Sequence, residues 1–298
     1  MATKSQPRSV DLRDVTPRDG LQGERAVSVA ERAHLVTQLA DAGLRDIEVG
    51  SFVSPKAVPS MAGADEVIEL IGARDDVRWW ALVPNRRGVD LARVSRIDAL
   101  TLTISASDGY SRKNVHRSTD EAIAGVGEIV DAAAGCELDA VISCAFGSPF
   151  EDVTLRSVAD VVDRVRAAGV DRLTLADTTG AATPRRVARV LGAVGCDVGL
   201  HLHDTRGTAL ANALAGLDAG VTRFDTSVGG LGGSPFAPGA GGNLATEDLV
   251  LVLEDSGIDT GVDLDALIRI AEALADLVGH PVPGRTAAAG ALPHFDAG

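Results

Sequence analysis

Lysine is almost missing from this chain: it occurs only at positions 4, 56 and 113, and Lys plus Arg total 28 against 42 Asp plus Glu, for a net charge of −14. Phosphate-backbone binding needs a basic stripe, so nucleic acid is excluded as a partner. An acidic surface also repels anionic small molecules, and any such substrate must be drawn in by a local cluster of Arg, Lys or metal. Cysteine is scarce as well. Cys136, Cys144 and Cys196 show no Cys-x-x-Cys spacing and sit among apolar neighbours, the pattern of buried free thiols in a reducing cytoplasm rather than of a disulfide framework or a thiolate metal site. No apolar run reaches the roughly 18 residues of a membrane span, and the opening Met-Ala-Thr-Lys-Ser-Gln-Pro-Arg has no apolar targeting core. A cytoplasmic protein without a membrane partner is expected.

What is present is material for one large core. Hydrophobic residues make up 45% of the chain and charged residues 23%, ordinary values for a globular domain. A length of 298 residues fits a single barrel of alternating strands and helices, which needs roughly 250. The expected organisation is a flexible amino-terminus over 1–8, one domain over 9–278 and a partly disordered tail over 279–298.

Eight short runs rich in β-branched or apolar residues recur at Val10–Val15, Asp46–Phe52, Val77–Val83, Ala99–Ser105, Leu138–Phe146, Arg172–Asp177, Asp197–Asp204 and Arg223–Val228. A helix-like segment separates each from the next. Gly43, Gly169 and Gly220 each close such a segment just before a strand, where glycine accepts the left-handed conformation that ends a helix. Such loops also suit an open doubly wound sheet, but eight strands is the number that closes a parallel barrel. The sequence therefore predicts an α/β fold, a (β/α)8 TIM barrel, with extra carboxy-terminal helices over Glu247–Glu254 and Leu264–Val278.

Catalytic groups of such a barrel lie where the strands end, and the polar clusters of the sequence fall there. In His201-Leu202-His203 the strand period of two points both imidazoles to one side; two core histidines satisfied by hydrogen bonds is the plainer alternative. Asp19 follows the first strand, which adjoins the eighth in a closed barrel. Asn243 lies in the glycine-rich segment after the eighth. One carboxylate, one amide oxygen and two imidazoles form an O/N donor set without thiolate, suited to Mg2+ or Mn2+. Arg18 beside Asp19 sets a fixed cation near a metal-bound substrate; its plainer role is an ion pair with Glu24. Asp204 is a candidate to orient a ligand histidine, or else a helix cap. Lys56, Arg112 and Lys113 lie in loops on the same face, and Gln22, Asn85, Ser105, Ser107 and Asn114 are candidate pocket residues.

The segments Asp14-Val-Thr-Pro-Arg-Asp-Gly-Leu-Gln22, Glu48-Val-Gly-Ser-Phe-Val-Ser-Pro-Lys56, Leu200-His-Leu-His-Asp-Thr-Arg206 and Gly229-Gly-Leu-Gly-Gly233, followed by Gly242-Asn-Leu-Ala-Thr-Glu-Asp-Leu249, resemble the 3-hydroxy-3-methylglutaryl-CoA lyase family over about residues 10–263. The resemblance implies cleavage of a 3-hydroxyacyl-CoA to acetyl-CoA and a keto acid by a retro-Claisen step, one Mg2+ or Mn2+ per site, and a homodimer. It implies Asp19, His201, His203 and Asn243 as metal ligands, Arg18 as the cation facing the enolate oxygen, and Glu48 as the residue that orients Arg18. From their positions on the same face, Arg18, Gln22, Lys56, Asn85, Ser105 and Lys113 are the candidate acyl-CoA contacts.

Either Asp19 or His201 takes the 3-hydroxyl proton. His201 is favoured, because a metal-bound carboxylate is weakly basic. The resembled lyases carry a Cys in the glycine-rich loop to protonate the enolate, where this chain has Ser234, a far poorer acid. Water held by Ser234, protonated His201, or a differently substituted acyl-CoA would accommodate the change. Related condensing enzymes have Gly-Glu-Arg before the Gly-Asn, and here Ala240-Gly241 precedes Gly242-Asn243. A Schiff-base aldolase is disfavoured because no lysine lies on or just after strands five to eight. A non-catalytic metal- and CoA-binding protein is the alternative of a different class.

Overall fold

The computed structural model describes residues 7–233 and 241–293. Its eight strands are β1 Asp11–Asp14, β2 Asp46–Ser51, β3 Arg78–Leu82, β4 Ala99–Ser105, β5 Glu137–Ser143, β6 Arg172–Asp177, β7 Gly199–Leu202 and β8 Arg223–Thr226. Each pairs in parallel with its neighbours in chain order, and β8 returns to β1 with Asp11 opposite Arg223 and Asp14 opposite Thr226, closing the barrel. The fold is the (β/α)8 barrel expected from the strand count. Buried Val, Ile, Leu and Ala side chains of the strands meet those of the helices in one continuous core.

The helices are α1 Val29–Asp41, α2 Ala64–Ile71, α3 Arg86–Val94, α4 Asp108–Val115, α5 Thr119–Ala124, α6 Val126–Ala132, α7 Leu155–Ala167, α8 Pro184–Val194, α9 Ala209–Ala219, α10 Thr246–Asp255, α11 Leu264–Val278 and α12 Arg285–Ala289. Local chemistry sets their ends. Ser28 and Glu31 form a reciprocal capping box at the start of α1, Pro184 occupies the first turn of α8, and Gly43, Gly169 and Gly220 have φ of 104, 95 and 110° after α1, α7 and α9. The sequence pattern located α10 and α11 but not α12, a short helix in the tail, where the backbone N–H groups of Arg285 and Thr286 donate to the Asp248 carboxylate. No helix among the described residues is long and apolar enough to cross a membrane.

Candidate metal centre and active site

The strand ends, and the loops that return over them, bring the polar groups together. After β1 the chain turns once as a π-helix over Thr16–Gly20, with the N–H groups of Arg18, Asp19 and Gly20 all directed at the Val15 carbonyl. This wide turn projects Arg18 and Asp19 over the barrel mouth; single π turns often occur at functional sites. Strand β7 stops at Leu202, two residues short of the expected end, because the glycine-rich segment comes back beside it. His203 and Asn243 form an antiparallel bridge, with Leu244 N–H donating to Leu202 O and Asp204 N–H to Gly242 O, both at 2.8 Å. Backbone pairing therefore sets two of the expected ligands side by side. The close passage needs glycine: a Cβ on Gly232, whose φ is +114°, would lie 2.4 Å from Asn243 Nδ2 and 3.0 Å from Asp19 Oδ2, and one on Gly242 would lie 1.7 Å from Gly230 O.

One ligand atom each from Asp19, His201 and His203 lies within 4.8 Å of the others. Asn243 Nδ2 donates to Asp19 Oδ2 at 2.7 Å and to Leu231 O at 2.9 Å, while Asn243 Oδ1 is buried without a partner among the described residues. His201 Nδ1 faces Asp225 Oδ2 at 3.1 Å and His203 Nδ1 faces Gly241 O at 3.1 Å. Both acceptors fix the proton on Nδ1, which leaves the two Nε2 atoms 3.1 Å apart with their lone pairs directed at each other. Two facing lone pairs, a carboxylate and a buried amide oxygen are mutually unfavourable without a cation and favourable with one. The donor set fits a hard divalent ion.

The charges around the centre are strongly coupled. Burial opposes ionisation of Asp19, but Arg18, then His201 and His203, and the hydrogen bond from Asn243 outweigh it and hold the carboxyl at about 2. Burial, with His201 adding to it, pushes His203 down to about 4, so the ring stays neutral and able to ligate at neutral pH. Arg18 donates through Nε to Glu48 Oε2 and through Nη1 to Asp19 Oδ1, the latter at 2.5 Å. Thr101 Oγ1 holds the other oxygen of Glu48. Arg18 is 8% exposed, and its Nη2 makes no hydrogen bond among the described residues, so that nitrogen is free to face a substrate.

The HMGL-like family model matches residues 9–274. The chain belongs to that family. It is 40% identical to hydroxymethylglutaryl-CoA lyase YngG of Bacillus subtilis, covering 94% of this chain and 96% of the relative. It is 39% identical to (R)-citramalyl-CoA lyase of Chloroflexus aurantiacus, covering 95% of each. Among solved structures, an HMG-CoA lyase from A. baumannii in complex with coenzyme A and 3-methylmalate superposes with a TM-score of 0.92 at 39% identity over 97% of both chains. The HMG-CoA lyase of Bacillus subtilis does so with a TM-score of 0.93 at 38% identity, over 96% of this chain and 99% of that one.

Within this HMGL-like barrel the remaining expected residues divide. Asp204 does not orient a histidine: its Oδ1 accepts the Ala209 N–H at the start of α9, the helix-capping alternative. Strand register explains the difference, since Asp225 of β8 lies directly opposite His201, whereas Asp204 follows the strand and turns toward the helix. Asn85 is exposed and caps α3, its Oδ1 accepting from Gly88 N–H, so its side-chain oxygen is already engaged rather than facing a pocket. Arg18 pairs with Asp19 and Glu48, not with Glu24, which binds His280. Ser105 is buried at the end of β4, with its Oγ accepting from Ser107 N–H, and Gln22 is half-buried just beyond the π turn. Lys56 is exposed after β2, and Lys113, exposed on α4, sits 4.3 Å from the Phe150 ring centroid. Ser234 lies outside the described residues. Sequence reasoning missed Asp225, Thr101 and the Gly241 carbonyl. For Asp225 a signal existed, a lone carboxylate inside the strand Arg223-Phe-Asp-Thr; for the other two there was none.

Proposed function

We propose that this chain is a divalent-metal-dependent carbon–carbon lyase that cleaves 3-hydroxy-3-methylglutaryl-CoA or a close analogue to acetyl-CoA and a keto acid. The observation that carries the reading is the convergence beside Arg18 of Asp19, His201, His203 and Asn243 Oδ1, which is buried with no partner among the described residues. The names of the relatives support acyl-CoA lyase chemistry, with near-equal identity to hydroxymethylglutaryl- and citramalyl-CoA lyases.

Retro-Claisen cleavage needs a base for the 3-hydroxyl and a sink for the electron pair left on C2. Asp19, His201, His203 and Asn243 would hold Mg2+ or Mn2+, which would supply Lewis acidity toward the substrate hydroxyl. Asp19, with its carboxyl held at about 2, is a poor base. His201 is the better one, because Asp225 stabilises the positive ring that forms. In that role its one free lone pair, on Nε2, takes the proton, and Asp19, His203 and Asn243 would be the residues left to hold the ion. Arg18, fixed by Glu48, directs Nη2 toward the thioester oxygen as that oxygen becomes an enolate, an electrostatic contribution worth several kcal/mol. Ser234, or water it holds, returns a proton to C2. Gln22, Ser105, Lys56 and Lys113 are proposed acyl-CoA contacts. A homodimer and a cytoplasmic location complete the proposal.

The test is a panel of 3-hydroxy-3-alkylglutaryl-CoA and citramalyl-CoA esters with and without Mn2+, read by mass spectrometry for acetyl-CoA and the released keto acid. Metal-dependent release from one ester is expected. Binding of every ester without release overturns the lyase reading in favour of a non-catalytic metal- and CoA-binding protein.

A further inference from the structure

We propose that Arg13 is a positioning residue for His201, acting through Asp225 from below the metal centre; the inference rests on the metal-site reading above. Three adjacent strands place these residues in one row, because Arg13 of β1 is in register with Asp225 of β8, and Asp225 with His201 of β7. The guanidinium grips the carboxylate with two parallel bonds, Nε to Oδ1 and Nη2 to Oδ2, both at 2.9 Å. Asp225 Oδ2 in turn accepts the His201 Nδ1 proton at 3.1 Å. Arg13, Asp225 and His201 are 7, 5 and 5% exposed, so water does not compete for these bonds.

Arg13 is itself held on two further sides. Its Nη1 pairs with Asp139 Oδ2 at 2.8 Å, an oxygen that also accepts from Thr174 Oγ1 at 2.8 Å. Its guanidinium carbon lies 4.7 Å from the ring centroid of Trp80, which is fully buried on the barrel floor. A carboxylate gripped by a planar fork has a fixed plane, which a point-charge ammonium does not impose. A fixed Asp225 plane fixes the tautomer and the rotation of the His201 ring, and so decides that Nε2 rather than Nδ1 faces Asp19 and His203. Partners of this kind around a metal-binding histidine typically change metal affinity 10- to 100-fold when lost.

The plainer role for Arg13 is to neutralise two buried carboxylates, which bears on folding alone. The test separates the two roles. Arg13→Lys keeps the charge and loses the fork, while Arg13→Met combined with Asp139→Asn removes one positive and one negative charge together, which favours a folded protein. Mn2+ affinity is measured by electron paramagnetic resonance without substrate, alongside the melting temperature, KM and kcat, and the His201 tautomer is read by nitrogen-15 NMR in metal-free protein. Positioning predicts Mn2+ affinity about 10-fold or more lower in the double variant, a smaller loss for Arg13→Lys, KM for the acyl-CoA within about twofold, and a His201 proton no longer confined to Nδ1. In an Asp225→Asn background the same removal of Arg13 adds less than about twofold, because coupled residues are not additive. Folded variants with the parent's Mn2+ affinity and tautomer overturn the proposal, as do losses that multiply in the Asp225→Asn background. If the parent takes up no Mn2+, the metal-site reading fails, and the tautomer signal still decides whether Arg13 orders the ring.

Discussion

Replacing Gly232 by alanine tests the packing of the metal centre with a single methyl group. The residue has φ +114°, and the new Cβ would stand 2.4 Å from Asn243 Nδ2, 3.0 Å from Asp19 Oδ2 and 3.1 Å from the Asp19 carbonyl. Ordinary contact begins near 3.4 Å, so the Asn243 amide must retreat by about 1 Å or the loop must lift. Either movement weakens the two bonds that Asn243 Nδ2 makes to Asp19 Oδ2 and Leu231 O. One bond to a neutral carbonyl and one to a carboxylate together contribute roughly 3 kcal/mol, and the displaced side chain takes Oδ1 with it. At 1.4 kcal/mol per tenfold, Mn2+ affinity is expected to fall about 100-fold. Gly257→Ala is the control, because that residue also has positive φ, +74°, but no atom lies within 4 Å of the place its methyl group would take. It should cost roughly 1 kcal/mol of stability from backbone strain and leave Mn2+ binding within about twofold. Titration with Mn2+ under electron paramagnetic resonance, with a thermal melt of each variant, reads both effects. Parent-like Mn2+ affinity in folded Gly232→Ala would refute the argument that the loop and the ligand set are packed as one unit.

His203→Ala should abolish Mn2+ binding and acetyl-CoA release together, measured by metal titration and product mass spectrometry. Arg18→Gln should keep the metal and lower kcat by about two to three orders of magnitude; turnover as fast as the parent's would remove Arg18 from the enolate role. Ser234→Cys should raise turnover if proton return limits the reaction, and no gain would point to an altered acyl substrate. Glu247 accepts the Gly229 N–H with both carboxylate oxygens, and burial raises it from 4.5 to about 7. A raised carboxyl gives the native state more bound protons than the unfolded chain between those values, so its contribution to stability falls as pH rises from about 4.5 through 7, by at most roughly 3 kcal/mol. Glu247→Gln should flatten the decline in melting temperature between pH 5 and 8, and an unchanged slope would show that other groups cause it.

The sequence alone determined the elements and their order. Apolar runs with β-branched residues, separated by helices ending at Gly43, Gly169 and Gly220, are local patterns, and eight of them have a compact parallel closure as a barrel. His201 and His203 were legible for the same reason, since a period of two is a property of one strand. Asp19, Arg18, Glu48 and Asn243 were legible through motif likeness and through their positions at strand ends. Tertiary structure decided what depends on neighbours far along the chain. Asp225 rather than Asp204 meets His201, because the register of β7 against β8 is fixed by barrel closure and not by proximity in sequence. Asn85 caps a helix although its position after β3 suited a pocket equally well. Asn243 reaches His203 only because a glycine-lined return pairs backbone with the end of β7, and Arg13 grips Asp225 only because the first strand closes against the last. Local sequence writes the period of each strand, while the partners facing its side chains are set by the other strands of the closed sheet.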